Sequence, residues 1–167
     1  MKVYWLDADA CIHAKDERNG AYPFSRAQNF WAYLSNQVEQ GIVRAPKMVY
    51  DEIVAGDDAL ANWFRMREDR GLSEHPSPEV WKCVTEISDL VVKRFGDRKA
   101  RRFLAGADLF VLAHAMAMGS DGIVVSHEST REQHAIIKIP TICSHLGIEQ
   151  VSIFRMLNML RADFPDF

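Results

Sequence analysis

No apolar run in this chain of 167 residues approaches the ~20 needed to cross a bilayer. The opening MKVYWL runs straight into Asp7, without the cationic, apolar and small-residue segments of a secretory signal. A cytoplasmic protein with no membrane attachment is the expectation. Cysteine is scarce: Cys11, Cys83 and Cys143 lie far apart, with no CxxC or Cys/His ligand spacing, which argues against a structural zinc site and for reduced interior thiols. No low-complexity or linker-like stretch divides the chain, and 48% hydrophobic content suffices for one sizeable core, so residues 1–167 read as a single domain. An excess of cations is also missing. With 20 Lys and Arg against 23 Asp and Glu, the formal charge is −3, so any nucleic-acid contact must come from a local basic patch.

What is present is an alternation of short apolar strands and amphipathic helices. Residues 3–8 are bulky and apolar without alternation, as in a central parallel strand covered on both faces. A loop over residues 15–24 leads to a helix expected to be capped by Ser25, with Phe30, Trp31, Leu34 and Val38 inward and Gly41 as its stop. IVRAP is a second strand. Pro46 suits the first position of the next helix, which ends at Gly56, and Asp57 starts another that closes near Gly71. Ser77-Pro78 opens a long helix with Val80, Val84, Ile87, Val91 and Phe95 on one stripe, read as a helical insertion. Asp97 caps the basic RKARRFL segment, and Gly106 releases the chain into ADLFVLAHAMAM, apolar nearly all round and therefore buried. GIVVS, IIKI and IEQVS read as further strands, with helices starting at Pro140 and near Ile153. The alternation predicts a three-layer α/β/α parallel sheet, whose ligands bind outside the carboxyl ends of the strands.

Four acids fall where strands end or helices begin: Asp7, Glu52, Asp108 and Glu128. Each lies against apolar sequence, where an ionised carboxylate is costly without a compensating partner or cation. Asp9 is assigned the cap of a helix beginning at Ala10, which leaves Asp7 inside the strand without helical donors. Asp51 falls four residues after Lys47 and forms an exposed pair, whereas Glu52 follows Met48 and Val49 on the buried stripe. Asp108 is placed as a first-turn or capping aspartate that also offers an oxygen to a cation. Ser129 to Glu132 fits a capping box, so Glu128 is left without a structural task. His127 sits beside it at the strand end, and His13 borders the site from the first helix. His114 is expected to be packed and hydrogen-bonded in the buried helix. The run Arg98, Lys99, Arg101 and Arg102 offers either a solvated helix face or a phosphate-binding patch beside Asp108.

These residues, in this order, resemble a PIN domain. LDADACI is similar to the family's opening motif of an aspartate followed two positions on by a small polar residue. VYDEI resembles its helix-borne glutamate, ADLFVLAHAMA its third motif and VVSHE its Ser/Thr-x-acid fourth motif. The resemblance implies a Rossmann-like sheet whose clustered acids bind Mg²⁺ or Mn²⁺ and cleave RNA. It gives the acidic ligand roles to Asp7, Glu52, Asp108 and Glu128, the small polar position to Asp9 and the supporting hydroxyl to Ser126. Many small single-domain members are toxins of VapC-type toxin–antitoxin pairs, which implies an antitoxin partner, and dimers are common among them. The chain departs from the pattern in having Glu128 for the usual Asp and in its longer stretch from about Asp57 to Arg102, so it resembles a divergent relative.

Hard carboxylate oxygens suit Mg²⁺ or Mn²⁺, and in-line attack on phosphorus by hydroxide activated at the cation would leave a 5′-phosphate and a 3′-hydroxyl. Two other readings use the same residues. LDADAC also resembles the start of haloacid-dehalogenase-type phosphatases, with Asp7 as nucleophile and Asp9 as acid/base, but Cys11 follows and Glu52 would have no role. A PIN-like module that binds RNA or protein without cutting it is the non-enzymatic alternative.

Overall fold

Val3 to Leu6 are bulky residues with no polar face to offer water, and all four are buried in a strand, β1 (Val3–Leu6). In the computed structural model, which describes residues 1–127 and 136–160, β1 is the middle strand of a five-stranded sheet. The others are β2 (Val43–Pro46), β3 (Ser73–Glu74), β4 (Gly122–Val125) and β5 (Glu149–Val151), in the order β3-β2-β1-β4-β5. Every pairing is parallel, with Tyr4 opposite both Val43 and Ile123, and Trp5 opposite Arg44 and Val124. Parallel neighbours cannot be joined by tight turns, so helices must carry the chain back across the sheet.

Those helices are α1 (Ala8–Lys15), α2 (Gln28–Glu39), α3 (Lys47–Val54), α4 (Ala59–Arg65), α5 (Pro78–Phe95), α6 (Asp97–Leu104), α7 (Asp108–Ala117), α8 (Ile139–Leu146) and α9 (Ile153–Met159). The result is the expected parallel α/β architecture. α7 lies across β1, β2 and β4 and carries α5 on its outer side, which explains an apolar sequence with almost no polar face. α5 follows its sequence closely: Ser77 caps it by accepting from the Val80 amide, Pro78 occupies the first turn, and Val80, Cys83, Ile87 and Val91 are buried. With α6 it forms the helical insertion between β3 and α7.

α7 approaches β4 so closely that a Cβ on Gly122 would lie 2.1 Å from the Ala115 carbonyl oxygen, so only glycine fits there. No helix among the described residues is long and apolar enough to cross a membrane. All three cysteines are free and buried.

Several boundaries differ from expectation. α1 begins at Ala8, so Asp7 occupies its N-cap position and Asp9 lies within its first turn. Ser25 does not cap α2; its hydroxyl donates to Glu17, and Ala27 precedes the helix. Pro46 ends β2 and flanks α3 rather than entering it. Asp58, not Asp57, caps α4, accepting from the Ala61 amide while Lys15 pairs with it at 2.6 Å. IIKI is not a strand: Ile137 is buried but Ile139 already starts α8. β3 was not anticipated, because two residues paired on β2 carry no periodicity of their own.

His114 is buried against Trp5, with ring centroids 4.4 Å apart, but neither ring nitrogen has a hydrogen-bond partner. The Trp5 indole instead donates to the Met118 sulfur at 3.4 Å. Desolvation lowers the His114 pKa from 6.5 to about 4. Between those values the unfolded chain binds the proton and the folded chain resists it, so the stability present above pH 6.5 is lost as pH falls towards 4. Denaturant unfolding at pH 7 and pH 5 is expected to show the wild type losing about 2 kcal/mol more on acidification than His114→Phe.

Candidate functional site at the carboxyl ends of the strands

From β1 the chain builds outward to β2 and β3, then returns to place β4 and β5 on the other side. Strand order therefore reverses between β1 and β4, and the crevice of such a sheet lies at the carboxyl ends of these two strands. Asp7 and Ser126 stand at its two lips. The Asp7 amide extends the ladder by donating to the Val125 carbonyl at 3.0 Å, and the residue is only 3% exposed. Although Asp7 holds the N-cap position of α1, its side chain makes no capping bond. Its negative charge adds to the burial that pushes the Cys11 thiol far up. The Ser126 amide donates to Val151, and its buried hydroxyl accepts from the Gln150 side-chain amide at 2.9 Å.

The other acids arrive on helices. α3 touches both α1 and α7, which brings together the three elements bearing Asp7 and Asp9, Glu52, and Asp108. Glu52 is not on the buried stripe, which consists of Val49, Tyr50 and Ile53; it keeps an exposed face towards α1. The protein around its carboxylate still raises its pKa, chiefly by desolvation, and the Asp9 charge adds to that effect. Asp51 forms the expected pair with Lys47 at 2.8 Å. Asp108 is half-buried as the first residue of α7, one position inside the helix from Ala107. Among the described residues, no three His, Cys, Asp or Glu side chains form a ready-made group around one ion. Glu128, with Ser129 and Glu132, lies outside the described residues.

Beyond Ser126 the crevice widens into a cleft of about 580 Å³, bordered by α1, the loop after it and the start of α9. There His127 stacks on His13, with ring centroids 3.9 Å apart and planes 17° from parallel. His13 follows Asp9 by one helical turn, so both lie on neighbouring parts of the same α1 surface. Tyr22 and Phe154 also line the cleft, and no local pattern singles them out. Tyr22 is held by stacking on Phe30 at 4.0 Å. The loop is folded tightly onto α1 at Gly20, where a Cβ would lie 2.6 Å from three carbonyl oxygens. On the insertion, α6 packs Ala100 and Phe103 inward and leaves Arg98, Lys99, Arg101 and Arg102 exposed.

The family described as "domain of unknown function (DUF4411)" matches residues 4–164. No curated protein matches the sequence. Two solved structures share the fold. One is VapBC2 from Rickettsia felis bound to a DNA fragment from their promoter, with TM-score 0.54 and 12% identity, covering 90% of this chain and 98% of that one. The other is DNA-bound VapBC from Salmonella typhimurium, with TM-score 0.55 and 14% identity, covering 91% and 98%. The likeness establishes a PIN-like fold.

Removing the Asp9 charge has a defined electrostatic consequence. In Asp9→Asn the Glu52 pKa is expected to fall, while remaining above the ordinary carboxylate value because desolvation persists. A carboxyl-carbon NMR titration checks this; an unchanged Glu52 pKa would mean that the two side chains do not sense one another.

Proposed function

We propose that this chain, which belongs to the DUF4411 family, is a divalent-metal-dependent endoribonuclease and the toxin of a toxin–antitoxin pair. The observation that carries the reading is the placement of Asp7, a buried carboxylate at the carboxyl end of the middle strand, beside the crevice where strand order reverses. The reading is supported by α3, which bears Glu52 and touches both α1, with Asp9, and α7, with Asp108.

The donor chemistry fits Mg²⁺ or Mn²⁺. All the acids offer hard oxygen, and the raised pKa of Glu52 beside Asp9 marks a place where added positive charge is favourable. Mg²⁺ needs only one or two protein carboxylates, with water and substrate phosphate completing its surroundings, so a closed protein cage is unnecessary. Asp7, Glu52 and Asp108 are the proposed holders, with Glu128 as a fourth acid and Asp9 in support. When bound, the cation supplies Lewis-acid stabilisation of charge developing on the phosphate and lowers the pKa of water.

The chain's own residues would position the substrate. The buried Ser126 hydroxyl, anchored by Gln150, fixes the turn that presents His127 at the cleft. The exposed cations of α6 provide a local phosphate-binding face in a chain whose overall charge is −3. The likeness to two DNA-bound VapBC structures supports an antitoxin as partner.

Purified protein is expected to cut a mixed RNA pool with Mg²⁺ or Mn²⁺ but not with EDTA. Asp7→Asn and Asp108→Asn should each reduce the rate at least about 100-fold while preserving the circular-dichroism spectrum. No cutting by folded wild type, together with no metal binding by calorimetry, would overturn the nuclease reading. Hydrolysis of p-nitrophenyl phosphate lost in Asp9→Asn would replace it with a phosphatase. Substituting Arg98, Lys99, Arg101 and Arg102 together by Gln should weaken RNA binding and flatten its salt dependence; an unchanged salt slope would remove α6 from the interface.

A further inference from the structure

The cleft beside the acids has a chemical character that phosphodiester cleavage alone does not require. Its walls include two stacked imidazoles, the largely buried Tyr22 and Phe154, a residue 66% exposed. A phenylalanine this exposed gains little from burial in the free protein, and a histidine pair stacked in the open contributes little to the core. Both lie at the carboxyl ends of β4 and β5, on the ligand-binding side of a parallel sheet. The enclosed volume is in the range of small-ligand pockets.

Ring faces and polar edges occur together here. Asn19, Asp16 and Ser152 stand among the rings, while exposed Arg18 and Arg155 are the chain neighbours of Asn19 and Phe154. The Asp16 carboxylate already accepts from the Arg18 and Asn19 amides, which holds the loop in shape without a ligand. Gly20 locks the same loop against the carbonyl end of α1. The cleft is therefore preformed on the α1 side.

We propose that this cleft is a stacking subsite for one unpaired nucleobase of the RNA, received by the His13–His127 pair and Phe154 next to the carboxylates. This rests on the nuclease reading and extends it by assigning the place where one base is received. Single-stranded RNA exposes base faces to protein aromatics, whereas a duplex hides them in its own stack. Stacking accepts every base, because all four have a π-face. His13, one turn beyond Asp9 on α1, links base placement to the acidic end of the same helix.

The test is fluorescence-anisotropy binding of a labelled single-stranded RNA octamer to the full chain in EDTA, where cutting is not expected. His127→Ala and Phe154→Ala should each weaken binding about tenfold, and His127→Phe should restore most of the loss because it keeps a ring. An abasic octamer of the same length should bind wild type and variants alike. Addition of adenosine monophosphate should shift the imaginable reporters of this site, the His13 and His127 ring C–H resonances, in wild type. Variants that melt with the wild type and bind the octamer equally well would overturn the subsite. Equal weakening towards the abasic octamer would also overturn it, since the loss would then be structural. Base-dependent binding without metal-dependent cutting would retain the subsite and sink the nuclease. Cutting with binding unaffected by His127→Ala and Phe154→Ala would do the reverse.

Discussion

The burial of β1 is the constraint on which the rest of this structure depends. Four bulky apolar residues are paired on both edges and covered on both faces, and the chain must leave them abruptly at Asp7. Parallel pairing forces helical crossovers, and building outward from a middle strand forces the order to reverse once. The crevice is a consequence of these two requirements. Asp7 reaches it because the last apolar residue of β1 is Leu6, and the Asp7 amide is still held by Val125.

Electrostatics at that end of the sheet is strained in the direction a cation relieves. Glu52, although exposed on one face, holds its proton more tightly than an ordinary glutamate, chiefly through partial desolvation and further through the Asp9 charge. The basic face of α6 lies on the insertion that packs against α7, the helix that begins at Asp108. A polyanion attracted by that face still meets repulsion from the acids, so metal and substrate are mutually reinforcing ligands in the proposed enzyme. Neither long-range attraction nor overall charge would deliver RNA to the acids without such compensation.

Legibility of the sequence followed the range of the interactions involved. The α5 stripe, the caps at Ser77 and the Lys47–Asp51 pair are set within a few residues, and each was readable. Ser25 looked like a cap until a distant carboxylate, Glu17, took its hydroxyl. IIKI had the composition of a strand, but a short apolar run fits a buried helix start equally well. The spacing of Glu52 from Met48 and Val49 suggests a buried face, whereas α3 turns Val49, Tyr50 and Ile53 inward and leaves Glu52 exposed. A histidine in a buried helix suggests a satisfied core residue, but the neighbours of His114 include the Trp5 ring, and neither of its nitrogens is partnered. The His13–His127 stack joins segments brought together only by the β1–β4 pairing, so no local pattern announces it.

Gly122 bears on all of this from the opposite end of the sheet. Because the Ala115 carbonyl sits where its side chain would be, α7 rests directly on β4 without a cushion of side-chain atoms. Such a backbone contact leaves no rotamer through which the helix could slide or settle. α7 then behaves as a stiff lever with a fixed fulcrum at its carboxyl end, and Asp108 is its far tip. A methyl group added at position 122 would have to displace that fulcrum, at the end of α7 far from Asp108.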